Sequence, residues 1–346
     1  MHMTTDPTRW LHPMPVSPSG DVLTEDQVRT WRERGFAFVS GLFERDLIAR
    51  LHEDALRALQ APGSTGALPR DFGSGGRLVF PARSDAFNTV TLHPRLLAAI
   101  AQLLDVAVAD LRLTQSDLWP KYGHADAPGA LDNDDQRIHV DYPNHTLVHP
   151  SPWDRPEAVE LILYLDRVED CDGATALVAR NGPDDPAYRW PIVDSPGIGD
   201  LDWFNDRTAA EADFARQRPA LAAWRESLYA REQRVRFAPG NVLLYRHDLW
   251  HRGTPLRPGS VRLAQNITYR KASAEWISVL HTGWAWSAYH RSKFFEKLIA
   301  SLTVEQRTVL GFPAPGADYW CPQTLAAVEA RYGAYGMDMT PYRQGV

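Results

Sequence analysis

The sequence has few cysteines and no long apolar run, and each absence excludes a class of protein. Only two cysteines, Cys171 and Cys321, occur in 346 residues, which argues against a framework of disulfide bonds. No apolar stretch approaches the roughly 18 residues that span a bilayer, so a membrane protein is not expected. The opening MHMTTDPTRWLHPMPVSPSG lacks the apolar centre of a secretory signal, and we therefore expect a cytoplasmic protein.

Basic clusters are also missing from the chain. Lysine and arginine number 37 against 43 aspartates and glutamates, a net charge of −6. Proteins that bind nucleic acids or charged membrane surfaces usually carry a basic block, so we expect neither partner. The hydrophobic content of 44% allows a sizeable buried core. We expect a globular monomer or homodimer whose partner is a small-molecule substrate.

The N-terminal part of the chain reads as helices around one strand. Thr24 is followed three residues later by Gln27, a capping box that predicts the start of a helix. Gly35 ends this helix before the strand-like FAFVSG. The spacing of apolar residues predicts two further helices, over Glu44–Gln60 and Arg95–Leu104.

Short β-rich runs follow, separated by clusters of Gly, Pro and Asp. They are LRLTQSDLW, VELILYLDRV, RVRFAPGNVLLY and VRLAQNITYRK, which favour an antiparallel β core over alternating βαβ units. A helical stretch is predicted to interrupt them over Thr208–Ala230. We predict one domain over residues 1–346, mainly β with flanking helices. It comprises an N-terminal arm (1–22), helices plus the β core (23–271), and an aromatic-rich extension (272–346) that either caps the pocket or forms a dimer contact.

A candidate metal site begins in RIHVDYPNH, where His139 and Asp141 stand two residues apart in a strand-like run. Alternate residues of a strand face the same side, so this strand would direct an imidazole and a carboxylate at one cavity. The alternative interpretation of these two residues is that they lie on an exposed strand face and form ordinary hydrogen bonds. His251, after the strand-like VLLY, supplies a possible third ligand. Two histidines and one carboxylate form the facial triad typical of non-haem Fe(II) oxygenases.

Arg262 lies on the strand predicted to follow His251. A guanidinium near such a metal can bind the far carboxylate of a 2-oxo acid through two parallel bonds. The segment HDLWH offers a competing interpretation, in which His247 and His251 bind zinc from one helix. The metalloprotease pattern requires Glu after the first histidine. This chain has Asp248 there, and the flanking residues are strand-like.

Several segments, taken in order, resemble the phytanoyl-CoA dioxygenase family of Fe(II)/2-oxoglutarate-dependent oxygenases. They span Leu23–Tyr269 and comprise LTEDQVRTWRERGFAFVSGLF, QSDLWPK, HVD, DCDGATALVARNGP and APGNVLLYRHDLWHRGTP. The resemblance implies a double-stranded β-helix core of the jelly-roll, cupin-like type. It also implies that His139, Asp141 and His251 hold Fe(II), with 2-oxoglutarate and O₂ as cosubstrates.

Further residues carry over from the family by position. The resemblance implies that Arg262 binds the far carboxylate of 2-oxoglutarate and that Ser260 assists it. Gln115 and Lys121 match family positions near the cosubstrate or the substrate. The segment Tyr122–Ile138 is longer than the family norm and is expected to be a substrate-specific loop.

The implied reaction is hydroxylation of an unactivated C–H bond, with decarboxylation of 2-oxoglutarate to succinate and CO₂. Halogenases related to this family have Gly or Ala in place of the carboxylate, so Asp141 favours hydroxylation or desaturation. Two other functions remain open. One is a catalytically silent, cupin-like binding protein, which the intact triad disfavours. The other is a zinc-dependent hydrolase, in which Arg262 has no role.

Overall fold

The strands of the protein form two sheets. The structure is a computed structural model that describes residues 10–59, 78–123, 136–189, 206–277 and 293–344. In chain order the strands are β1 (Trp10–Leu11), β2 (Met14–Pro15), β3 (Phe36–Ser40), β4 (Leu111–Tyr122), β5 (Ala158–Tyr164), β6 (Thr175–Leu177), β7 (Gln233–Val235), β8 (Val242–Tyr245), β9 (His251–Gly253) and β10 (Val261–Lys271). The smaller sheet has the order β1-β7-β6-β9, and the larger has the order β2-β3-β8-β5-β10-β4.

The core strands cross back and forth between the two sheets. β4, β5, β8 and β10 lie in the larger sheet, while β6, β7 and β9 lie in the smaller. The segment around His139 joins the smaller sheet through an antiparallel bridge to His251. Neighbouring core strands of the larger sheet pair antiparallel. This alternation is the double-stranded β-helix, or jelly roll, so the predicted fold class is confirmed.

Helices flank the sheets and continue beyond them at the C-terminus. They are α1 (Glu25–Arg34), α2 (Arg45–Ala58), α3 (Asp85–Thr91), α4 (Pro94–Leu104), α5 (Tyr142–His145), α6 (Val168–Cys171), α7 (Arg207–Gln217), α8 (Pro219–Arg231), α9 (Phe294–Ser301), α10 (Val304–Val309) and α11 (Pro322–Tyr332). None of the helices in the described ranges is long and apolar enough to cross a membrane.

The two faces of the larger sheet contribute to different cores, because successive side chains of a strand point to opposite sides. Leu161 and Leu163 of β5 pack in the cluster that contains the apolar side chains of α2 and α4. Ile162 and Tyr164, which alternate with them, pack with Leu177 of the smaller sheet. The inner face of the larger sheet therefore faces the smaller sheet, and polar side chains placed there meet in the interior.

The first predicted helix has the predicted boundaries. The Thr24 hydroxyl accepts the Gln27 backbone N–H, and the Gln27 side chain accepts the Thr24 N–H, which completes the capping box. Gly35 ends the helix at φ 94°, and a Cβ there would lie 2.6 Å from a methyl carbon of Leu249. Glycine is therefore needed at position 35 both for its backbone conformation and for space.

The other predicted helices are confirmed with one correction. α2 and α4 match the second and third predictions, and Gln60 lies outside the described residues. The single helix predicted over Thr208–Ala230 is instead the pair α7 and α8. The break falls at Arg218, whose backbone is non-helical (φ −141°, ψ 68°) because Pro219 disfavours a helical conformation in the preceding residue.

Candidate metal centre

His139, Asp141 and His251 come together between the two sheets. One ligand atom of each lies within 4.8 Å of the others. Asp141 Oδ2 is 3.1 Å from His251 Nε2, and Asp141 Oδ1 is 3.5 Å from His139 Nε2. Both histidines are buried, with 4% and 6% of their surface exposed. The structure thus brings together the three residues that the sequence predicted as metal ligands.

The two histidines are held opposite each other by the backbone. The N–H of each donates to the carbonyl of the other at 2.9 Å, the pattern of a hydrogen-bonded antiparallel pair. Their ring centroids are 4.5 Å apart. His251 also begins β9, where it pairs with Leu177 of β6. The relative position of the two imidazoles is therefore set by sheet pairing.

Backbone carbonyls select the ring nitrogen that each histidine presents. Nδ1 of His139 lies 2.9 Å from the Arg137 carbonyl, and Nδ1 of His251 lies 2.9 Å from the Leu249 carbonyl. A carbonyl only accepts, so each Nδ1 carries a hydrogen, and Nε2 is the nitrogen that a neutral ring offers to a metal. Both Nε2 atoms face Asp141. Bonding of the second ring nitrogen in this way is typical of histidines that ligate metals.

Asp141 does not continue the strand that carries His139, so that part of the sequence prediction is wrong. Its backbone has φ −96° and ψ −15°, and it caps the N-terminal end of α5. Pro143 lies in the first turn of α5, where its fixed φ suits a helix. The N–H groups of Asp141 and Tyr142 both donate to the His247 carbonyl, at 2.9 and 2.7 Å. The chain therefore turns at Asp141, and this turn brings the carboxylate to the two imidazoles.

The three side chains strongly perturb one another. Burial, and then the charge of His251, lower the pKa of His139 to about 3, so this imidazole is neutral near pH 7. Burial opposes ionisation of His251, but the Asp141 carboxylate outweighs it and raises the pKa of His251. Burial would raise the pKa of Asp141, yet His251 holds that pKa well below its usual range. The carboxylate is thus available as a ligand at neutral pH.

Tyr245 and Glu160 lie beside the triad. Neither residue was identified from the sequence. The Tyr245 hydroxyl donates to Asp141 Oδ2 at 3.2 Å. Glu160 lies opposite Tyr245 across β5 and β8, is 3% exposed, and has Oε1 3.4 Å from His145 Nε2. Burial, and then the charge of Asp141, raise the pKa of Glu160 well above its usual range. The sequence held a signal, because Glu160 is the one charged residue within the apolar run VELILYL.

Arg262 lies inside the fold without an acidic partner. It sits on β10 directly opposite Lys121 of β4, and it is 6% exposed. Nη1 donates to the Gly173 carbonyl at 2.5 Å, while Nε is buried with no acceptor. No carboxylate of the described residues forms an ion pair with this guanidinium. A buried cation of this kind is costly unless a ligand supplies the counter-charge.

Lys121 brings a second positive charge towards the triad. Its charge opposes protonation of His251. A Cβ at position 253 would lie 2.6 Å from Lys121 Nζ and 2.7 Å from Gln136 Oε1, so Gly253 is needed for this approach. Gln136 Oε1 accepts the Gly253 N–H at 2.8 Å.

The side chains of Gln115 and Ser260, unlike that of Arg262, form hydrogen bonds with nearby residues of their own segments. Gln115 Nε2 donates to Asp117 Oδ1 at 2.8 Å, and Trp119 Nε1 donates to the second oxygen of Asp117. These alternate residues share the inner face of β4 with Lys121. Ser260 precedes β10, and its hydroxyl donates to the Arg257 carbonyl at 2.6 Å. Its observed contacts therefore stabilise a turn.

Two other sequence expectations concern neighbouring segments. The competing zinc interpretation is wrong, since His251 begins a strand and does not share a helix with His247. His247 is buried, its Nδ1 has no hydrogen-bond partner, and it lies outside the ligand cluster. Within the expected loop Tyr122–Ile138, residues 124–135 lie outside the described part of the chain.

Comparisons with known proteins identify no family for this chain. No family model matches it, and no curated protein matches it. One similar solved structure is the epimerase SnoN in complex with Fe³⁺, alpha ketoglutarate and nogalamycin RO. It has a TM-score of 0.49 and 16% identity over 75% of this chain and 88% of that chain. The resemblance to the phytanoyl-CoA dioxygenase family therefore stays a prediction.

Two further solved structures show similar values. EvdO2 from Micromonospora carbonacea var. aurantiaca, complexed with 2-oxoglutarate, has a TM-score of 0.48 and 16% identity, covering 74% of this chain and 93% of that chain. HygX from Streptomyces hygroscopicus, with nickel and 2-oxoglutarate bound, has a TM-score of 0.47 and 18% identity, covering 72% and 87%.

Proposed function

We propose that this protein is an Fe(II)/2-oxoglutarate-dependent oxygenase that acts on a small molecule. One observation carries the proposal. The buried guanidinium of Arg262 has no acidic partner among the described residues, and it lies inside the jelly-roll barrel formed by the two sheets, which also holds the triad of His139, Asp141 and His251. A metal triad alone fits several chemistries. A triad combined with a buried cation fits a metal-bound cosubstrate that carries a second carboxylate.

The donor set fits ferrous iron. Two histidines and one carboxylate are a ligand set typical of non-haem Fe(II) sites. One ligand atom of each of the three residues lies within 4.8 Å of the other two. His139, Asp141 and His251 would hold the iron, and 2-oxoglutarate and O₂ would be its cosubstrates. When bound, iron with these cosubstrates supplies the oxidising power to break a C–H bond.

The residues of the chain orient the cosubstrate and hold its charge. Arg262 would bind the far carboxylate of 2-oxoglutarate, because its planar fork suits two carboxylate oxygens. The Gly173 carbonyl orients that fork through its bond to Nη1. Lys121, opposite Arg262 in the sheet, adds positive charge to the same end of the barrel. Burial of Arg262 keeps water from competing for the carboxylate.

The inner face of β4 is proposed to contribute to the substrate pocket. Gln115, Asp117 and Trp119 share this face with Lys121, and they carry donor and acceptor groups linked to one another. Hydroxylation is the favoured outcome, because Asp141 retains a carboxylate at the position that halogenases related to the phytanoyl-CoA dioxygenase family leave open for halide. The predicted membership of that family belongs to this proposal.

A zinc-dependent hydrolase would use the same three ligands. It would not need the buried guanidinium of Arg262, which has no acidic partner among the described residues. A catalytically silent binding protein would need neither the three metal ligands nor the buried guanidinium. The arrangement of Arg262 thus favours the oxygenase over both alternatives.

Anaerobic titration tests the proposal directly. The protein is loaded with Fe(II), and 2-oxoglutarate is then added without oxygen. A weak visible charge-transfer band should appear only when both are present, since it requires the keto acid to chelate the iron. Succinate in place of 2-oxoglutarate is the control and should give no band. Retention of stoichiometric iron with no band on adding 2-oxoglutarate would contradict the proposal.

A further inference from the structure

The segment after Asp141 leaves the barrel and enters the core of the C-terminal unit, residues 293–344. Leu147 and Val148 are fully buried. They cluster with Phe312, Val328 and other apolar residues of that unit, and not with either core of the barrel. A short stretch of chain therefore runs from a metal ligand into a separate hydrophobic core.

Side chains of the C-terminal unit bind the backbone of this segment. Arg331 donates to the Thr146 carbonyl at 2.7 Å and to the Pro143 carbonyl at 3.4 Å. The Tyr332 hydroxyl donates to the Leu147 carbonyl at 2.6 Å. These residues belong to α11, so one helix covers successive carbonyls of the segment. The Arg331 cation also lies at the C-terminal end of α5, where positive charge is favourable.

Other contacts extend the same attachment. The Tyr319 hydroxyl donates to the His149 carbonyl at 2.7 Å. The Leu147 N–H donates to the Trp276 carbonyl at 2.9 Å, and Thr146 forms a bridge with Ile277. On its barrel side the segment is held through the Asp141 N–H, which donates to the His247 carbonyl. The turn is thus suspended between the barrel and the C-terminal unit.

We infer that the C-terminal unit positions Asp141 for metal binding, with Arg331 as the main positioning residue. The two histidines do not need this support, because their mutual bridge and β9 fix them. Asp141 lies on a turn that is held to the barrel by its own N–H and to the C-terminal unit through Arg331, so the position of its carboxylate depends on both attachments. The inference rests on the proposed function in taking Asp141 as a metal ligand. It gives the extension a role in the metal centre that is separate from the expected pocket cap or dimer contact.

Metal affinity of the full-length protein tests this inference, with Mn(II) as the probe and calorimetry as the readout. Arg331→Ala should weaken Mn(II) binding by about tenfold or more, as for other residues that orient a metal ligand. Arg331→Lys should restore part of the affinity. The control is Arg343→Ala in the same unit, which loses only an exposed pair with Glu329 and should bind as wild type does.

Tyr332→Phe guards against misfolding of the Arg331 variants, because it removes a single hydroxyl and keeps the ring in the core. It should weaken Mn(II) binding by about fivefold, the equivalent of one hydrogen bond. Unchanged affinity in a folded Arg331→Ala or Tyr332→Phe variant, even with a lowered melting temperature, would overturn the inference. Failure of wild type to bind Mn(II) would instead count against the proposed metal site itself.

Discussion

The Tyr245 hydroxyl and the Asp141 carboxylate form a hydrogen bond of 3.2 Å inside the barrel. The accepting oxygen, Oδ2, is the one that lies 3.1 Å from His251 Nε2. Glu160 lies beside this bond, opposite Tyr245, with its pKa raised well above the usual range by burial and by Asp141. Tyr245 therefore holds the Asp141 carboxylate, and a second buried acid, Glu160, lies beside the pair.

Tyr245→Phe should weaken Mn(II) binding by about fivefold, because it removes one hydrogen bond to the ligand carboxylate and little volume. Calorimetric titration of the metal-free protein measures this. Tyr164→Phe is the matched control, since its hydroxyl bonds Thr175 at 2.7 Å and does not bond Asp141. Equal loss of affinity in both variants would mean that Tyr245 has no specific effect on Asp141.

Removal of any triad member should abolish tight metal binding. His139→Ala, Asp141→Ala and His251→Ala each delete one of three converging ligands, and turnover of 2-oxoglutarate should fall to background. His247→Ala should retain most of the metal binding and most of the 2-oxoglutarate turnover, because His247 lies outside the cluster. Metal content and succinate formation are the measurements. If His247→Ala lost the metal and His251→Ala kept it, His247 would be the ligand in place of His251.

Arg262→Ala should raise the Kd for 2-oxoglutarate by about 10- to 1,000-fold, since a charge-assisted, bidentate pair is lost in a buried site. Arg262→Lys should recover only part of this loss, because an ammonium lacks the planar fork. Mn(II) affinity should not change.

Titration of the visible band with 2-oxoglutarate measures these affinities. Arg270→Ala is the control on the same strand, since Arg270 donates to the carbonyls of Lys271 and Ala272. Wild-type affinity for 2-oxoglutarate in Arg262→Ala would place the cosubstrate elsewhere.

Asp117 predicts a specific pH dependence of stability. Burial raises its pKa from 3.8 to about 6. The folded state therefore binds the proton of the Asp117 carboxyl more tightly than the unfolded state does. The resulting contribution to the free energy of unfolding is fully present below about pH 4. It is lost as pH rises through about 6, at a cost of about 3 kcal/mol across that range.

Urea unfolding of wild type and Asp117→Asn between pH 4 and 7 measures the effect. Relative to the variant, wild type should lose stability as pH rises, because the amide does not titrate. A constant difference between the two proteins over this range would show that Asp117 ionises normally.

Local features of the sequence determined much of the architecture. The capping box at Thr24, the stop at Gly35 and the apolar spacing of α2 and α4 act within a few residues of chain, so they could be read without the fold. Alternating strand residues indicated the β core in the same way. The residue types of His139, Asp141 and His251 indicated metal chemistry, since two histidines and one carboxylate are a ligand set typical of non-haem Fe(II) sites.

The tertiary structure decided what depends on contacts between distant segments. Only the bridge between His139 and His251 sets the distance between the two imidazoles. Only the turn at Asp141, attached to His247 on one side and to the C-terminal unit on the other, directs the carboxylate at them. Strand register and shared burial place Glu160 beside Tyr245. Such pairings join residues far apart in the chain, and local periodicity carries no information about which strand a segment will meet.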